Sequence, residues 1–128
     1  MMSKKIALIT GANKGIGLEI CRQLAKQDFK VILTSRDEER GKKACEELKA
    51  TGLDIDFHQL EVTDENSVTK AYNYVNDTYG RIDVLVNNAG ILKHHEHDVF
   101  DVPIDEIKEV VETNFYCALL VTQKFVPL

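Results

Sequence analysis

The residues best placed to do chemistry begin with a glycine-rich turn, Thr10-Gly11-Ala12-Asn13-Lys14-Gly15-Ile16-Gly17, between the apolar run Ile6 to Ile9 and a stretch of helical spacing. In that position a phosphate can meet the first N–H groups of a helix and the positive end of its dipole. Gly11 permits a tight turn, Gly15 close approach of backbone to a pyrophosphate, and Gly17 close packing of helix on strand. The spacing is G-x-x-x-G-x-G rather than G-x-G-x-x-G, and no Gly-Lys-Ser/Thr follows Gly11 at the offset of a kinase-type phosphate loop. A dinucleotide site is the expectation, and a turn shaped by glycine for its own sake is the competing reading.

The second apolar run, Val31-Ile32-Leu33, leads to Ser35-Arg36. A carboxylate at Ser35 would accept hydrogen bonds from a ribose 2′-hydroxyl and repel a 2′-phosphate, whereas an arginine beside it attracts the phosphate. Lys14 adds a second positive charge on the same side. Either cation alone reads as a solvated surface charge; the two together, with no acid at Ser35, favour NADP over NAD. Asn114 falls seven residues after Ile107 in a helical pattern, on the face of Val110 and Val111, where an amide must find hydrogen-bond partners. A core asparagine satisfied by backbone competes there with an active-site role. The cluster His94-His95-Glu96-His97 fits no zinc spacing, since adjacent residues alternate in direction, and it reads as a loop with no metal site.

The elements that must position these residues follow from periodicity. Ile6 to Ile9 is continuous rather than alternating, as in a parallel strand covered on both faces. Gly17, Ile20, Cys21 and Leu24 make a helical stripe, as do Gly41, Ala44, Cys45 and Leu48 before a stop at Gly52. Asp54 to Val62 alternates with a bend near Gln59 and reads as an edge strand. Thr63 is the expected N-cap of a helix carrying Val68, Ala71, Tyr72, Val75 and Tyr79 and stopped by Gly80. Ile82 to Val86 reads as a strand running into Asn87-Asn88-Ala89-Gly90, and helical spacing resumes from Pro103. Four strands alternating with four helices give an α/β class, a doubly wound parallel sheet of the Rossmann type.

Composition narrows the function. The 128 residues carry 16 Lys and Arg against 21 Asp and Glu, a formal net charge of −5, with no basic cluster. That excludes a phosphodiester backbone or an anionic membrane surface as the main partner. Three widely spaced cysteines, Cys21, Cys45 and Cys117, form neither a metal pair nor a disulfide framework and read as buried small apolar residues. No apolar run is long enough to span a bilayer, and the first residues lack a signal-peptide core, so a cytoplasmic address is expected.

The T-G-A-N-K-G-I-G of residues 10 to 17, the N-N-A-G of 87 to 90 and the T-N-F of 113 to 115 resemble the short-chain dehydrogenase/reductase family. The stretches K-G-I-G-L-E-I-C-R-Q-L, T-S-R-D and F-H-Q-L are most similar to its NADPH-dependent carbonyl reductase branch, which includes the plant menthone and salutaridine reductases. The resemblance implies that Gly11, Asn13, Lys14, Gly15, Ile16 and Gly17 cradle the phosphates of NADP(H) and that Arg36 holds the 2′-phosphate. It places Glu61 and Val62 against the adenine, with Glu61 where the family usually has Asp. It runs Asn88, Ala89 and Gly90 along the adenosine ribose, uses Asn87 to tie strands, and makes Asn114 the active-site asparagine that holds a water in a proton relay.

The implied reaction is hydride transfer from NADPH to a small-molecule ketone or aldehyde. The family also uses a Ser to steady the carbonyl and a Tyr to donate the proton, with a Lys four residues on that lowers the Tyr pKa. Here Tyr72, Tyr74, Tyr79 and Tyr116 are followed at that offset by Asn76, Thr78, Asp83 and Leu120. Residues 1–128 are therefore expected to be the NADP-binding, N-terminal half of a single-domain reductase, inactive alone. The alternative is a non-enzymatic nucleotide-binding or interaction module. Oligomeric state is left open.

Overall fold

The computed structural model describes residues 4–89 and 104–128, with backbone alone at Glu106, Ile107, Val110, Glu112 and Thr113. The chain alternates β1 (Ile6–Ile9), α1 (Gly15–Lys26), β2 (Lys30–Ser35), α2 (Glu38–Lys49), β3 (Ile55–Gln59), α3 (Glu65–Thr78), β4 (Val84–Val86) and α4 (Ile104–Phe125). All strand pairs are parallel and the order is β3-β2-β1-β4, with Leu8 opposite both Ile32 and Leu85. The order reverses at β1, between β2 and β4, which is where an open α/β sheet leaves a crevice at its carboxyl end.

The continuous apolar runs of β1 and β2 are explained by burial on both faces. Ala7, Ile9, Val31, Leu33 and Ile55 pack with Cys21 and Ala25 of α1 and with Ala44, Cys45 and Leu48 of α2. The alternate residues Ile6, Leu8 and Ile32 pack with Val68, Ala71 and Val75 of α3 and with Val121 and Phe125 of α4. Two helices thus cover each face, as a doubly wound sheet requires. All three cysteines are buried and free, and burial, with Cys45 nearby, pushes the Cys21 thiol up to about 12.

Three local expectations shift. The N-cap of α3 is Asp64, whose side chain accepts from the Asn66 N–H, rather than Thr63. Two adjacent residues of cap-forming type compete there, and Thr63 instead donates its hydroxyl to Glu61 at 2.8 Å. The last strand begins at Val84 rather than Ile82, because the Asp83 carboxylate accepts the Ile6 N–H at 2.7 Å. The alternating stretch after Asp54 stops being strand at Gln59, where the bend was expected. On α4, Val111 is exposed rather than core-facing, while Ile107 and Val110 lie outside the described side chains. Among the described residues no helix is long and apolar enough to cross a membrane.

Candidate functional site

The strand ends at the carboxyl edge of the sheet are laced together by side chains, among them Thr10 and Thr34, to which sequence reading gave no role of their own. The Thr10 hydroxyl, at the end of β1, accepts the N–H groups of Asn88 (3.0 Å) and Ala89 (2.9 Å), while the Thr10 N–H donates to the Val86 carbonyl. The Asn88 amide donates to the Gly11 carbonyl at 3.0 Å, closing the loop after β4 onto the glycine turn. Toward the other side, Thr34 donates to the Ile9 carbonyl and the Ala12 N–H donates to the Thr34 carbonyl, both at 2.8 Å. Leu60 N–H donates to the Ser35 carbonyl, tying the end of β3 to that of β2. Each bond holds a buried or half-buried polar group that would otherwise lose its water, so the lacing fixes loop positions as well as satisfying the groups.

The glycine turn has the geometry its residue types suggest. Gly11 sits at φ +59°, and a Cβ there would stand 2.7 Å from Ala89 Cα, so side chain and loop exclude each other. Gly15 has φ +63° with open space above it, and Ile16 beside it is largely exposed. Gly17 is pressed against the Asn88 amide, the Gly11 carbonyl and Ala12 rather than against a strand.

The N-terminus of α1 differs from its neighbours. Its N-cap, Lys14, offers no side-chain hydrogen bond and its first turn carries no acid. By contrast α2 is capped by Asp37 with Glu38 and Glu39 following, and α3 by Asp64 with Glu65. Of these three helices, α1 is the one whose first N–H groups have no side-chain cap and no first-turn acid.

A cavity of about 560 Å³ opens over this edge. Of the residues singled out by sequence, Gly11, Asn13, Lys14, Arg36, Glu61, Val62, Asn88, Ala89 and Asn114 line it. Gly15, Ile16 and Gly17 do not line it, and Gly90 and His94 to His97 lie outside the described residues. Asn114 is half-buried on α4, one turn before the buried Cys117, whose thiol is pushed up by burial and then by the charge of Glu61. No group of three or more metal-ligating side chains occurs among the described residues.

Sequence reading missed Arg40, which lines the cavity four residues after Arg36; one helical turn beyond the Asp37 cap was the available signal. Lys14, Arg36 and Arg40 stand against Asp37 and Glu61, a net charge of +1 on the wall of a chain whose net charge is −5. Arg36 pairs with Glu61 at 3.8 Å and Arg40 with Asp37 at 3.7 Å. The wall therefore offers three cations, Lys14 at the α1 N-cap and Arg36 with Arg40, that can attract anionic groups of a ligand.

Comparison with known proteins places the chain in a family. Over 94 residues, 71% of the chain, it is 50% identical to short-chain dehydrogenase/reductase 1 of Saponaria officinalis, of which it covers 31%. It is 41% identical over 128 residues, 98% of the chain, to the NADPH carbonyl reductase 1 of Bos taurus, covering 45% of that protein. The structure of menthone neomenthol reductase from Mentha piperita superposes with a TM-score of 0.84 at 33% identity, over 99% of this chain and 56% of that one. The chain thus spans about half, or less, of the length of these proteins. Residues 5–128 match the family model described as short chain dehydrogenase, and the chain belongs to that family.

Proposed function

We propose that residues 1–128 form the NADP(H)-holding half of a single-domain carbonyl reductase acting on a small ketone or aldehyde. The observation that carries this is the cavity wall: Lys14, at the uncapped start of α1, lines it together with Arg36 and Arg40, in an otherwise acidic chain. These cations suit a ligand that carries a pyrophosphate and a 2′-phosphate. The reading is supported by the family and by the NADPH carbonyl reductase and menthone reductase relatives.

In this reading Gly11, Asn13, Lys14, Gly15, Ile16 and Gly17 surround the pyrophosphate, and Arg36 with Arg40 holds the 2′-phosphate. Glu61 and Val62 border the adenine. Asn88, Ala89 and Gly90 follow the ribose, and Asn114 holds a water that passes a proton toward the reacting oxygen. When bound, the cofactor supplies the hydride that, with one proton, turns the carbonyl into an alcohol.

The test is the affinity of the full chain for NADPH and NADH, followed by the enhancement of nicotinamide fluorescence, with turnover assayed on simple ketones. NADPH is expected to bind more tightly, and Arg36→Ala to narrow the difference by about tenfold or more, the worth of a charge-assisted contact. Failure to bind either nucleotide, or equal affinity for both, overturns the reading. Residues 1–128 are expected to bind NADPH without turnover, and reduction of a ketone by this half alone would overturn the division of labour between the two halves.

A further inference from the structure

Arg36, just after β2, and Glu61, after β3, pair on the cavity wall, and the two partners are held very differently. Glu61 is fixed: its N–H donates to the buried Ser67 hydroxyl at 2.8 Å, its carbonyl accepts the Asp64 N–H, and its Oε1 accepts the Thr63 hydroxyl. Its side chain is only 26% exposed, with Oε2 left to face Arg36. The Arg36 side chain is 76% exposed and stands 3.8 Å from that oxygen, an ion pair without hydrogen-bond distance. A carboxylate held by three hydrogen bonds around its residue thus faces an exposed cation.

We propose that Glu61 is a specificity-determining residue: it occupies Arg36 when no ligand is bound and so holds down the site's preference for a 2′-phosphate over a 2′-hydroxyl. The inference rests on the nucleotide reading above. A phosphate at the ribose 2′ position competes with Glu61 for the same guanidinium, and it does so beside a fixed negative charge. The apparent affinity for the phosphate is lowered by the fraction of molecules in which Arg36 is engaged, and by repulsion from the carboxylate. Ligands without that phosphate meet neither effect. The length of Glu61 matters, because a side chain shorter by one carbon–carbon bond, about 1.5 Å, withdraws the carboxylate from Arg36 while keeping its charge.

The experiment measures binding of 2′,5′-ADP and of 5′-AMP to the full chain by calorimetry, in the wild type, Glu61→Gln and Glu61→Asp. The readout is the ratio of the two affinities, which cancels any effect of the substitution on the shared adenosine. Glu61→Gln is expected to raise the preference for 2′,5′-ADP by up to about fivefold, the range an exposed ion pair is worth. Glu61→Asp is expected to fall between wild type and Gln, and the gap to wild type to close in 1 M salt, where the Debye length is about 3 Å. A ratio unchanged or lowered in both variants overturns the proposal. A wild-type chain that binds neither ligand overturns the nucleotide reading and this inference with it.

Discussion

Gly17→Ala puts a methyl group where α1 meets two loops. The added carbon would overlap the Asn88 amide and stand 2.9 Å from the Gly11 carbonyl and 3.0 Å from Ala12 Cα. Two of those neighbours are backbone and cannot swing aside. Overpacking of this kind costs about 1–3 kcal/mol. Displacing the Asn88 amide also breaks its 3.0 Å bond to the Gly11 carbonyl, a further ~1 kcal/mol. Against this, Ala in place of a helical Gly gains up to ~1 kcal/mol. The balance is a loss of about 2 kcal/mol, read from the urea midpoint at constant slope. Asn88→Ala alone should cost about 1 kcal/mol, and the double variant less than the sum of the singles, because the crowding neighbour is gone. A Gly17→Ala chain as stable as wild type, or strictly additive costs, would refute the reasoning.

Two further outcomes follow from the packing and the charges. Gly41→Ala should lose about 1–3 kcal/mol in the same assay, since its Cβ would overlap the Phe57 ring and stand 2.5 Å from the Ser35 hydroxyl; Phe57→Leu in the same chain should recover part of the loss. Tyr79→Phe should cost about 2 kcal/mol near neutrality by removing the 2.5 Å bond to the Asp56 carboxylate. Burial would raise Asp56, but the bonds from Tyr79 and Lys30 outweigh it and hold the carboxyl low; burial and then Asp56 push the Tyr79 hydroxyl up. A lowered acid contributes stability above its unfolded value that is lost as pH falls through the folded one, so the wild-type advantage shrinks below about pH 4. A raised phenol contributes stability below its unfolded value that is lost as pH rises beyond it, so the advantage also shrinks above about pH 10. Denaturation midpoints of both proteins across that range check the two edges, and a difference that stays constant throughout removes the argument.

The two central strands were legible because burial on both faces leaves an unbroken apolar run, and Ile6 to Ile9 and Val31 to Leu33 have no other use for one. The edge strand was legible as such because Asp56 and His58 alternate with Ile55 and Phe57. The start of the last strand was not, because Asp83 replaces a ladder bond with a side-chain one, and hydrophobic pattern says nothing of which atom of a residue makes the bond. The glycine turn and the loop after β4 were legible as a site because glycine and asparagine there have no core role. Arg40 was not, since an arginine on a helix reads as solvated until the sheet brings that helix end beside Arg36. Thr10 escaped for the opposite reason: its hydroxyl contacts residues 78 and 79 positions away, a separation no local pattern encodes.

These two kinds of residue divide the labour of the cavity. The Thr10, Thr34 and Asn88 bonds tie the loops after β1 and β4 and the end of β2 into one frame. On the proposed reading, a frame of that kind sets where a nucleotide lies and lowers the ordering cost of binding one. The arginines are the reverse, about three-quarters exposed and paired only loosely with carboxylates of the same wall. Their immobilisation costs about 0.5–1.5 kcal/mol each, which only a ligand with an anion at that end offsets. On the proposed reading, position is carried by hydroxyls and amides at the strand ends, and discrimination by exposed cations. Exposed charges tolerate substitution, so Arg36 and Arg40 can change while the frame beneath them stays as it is.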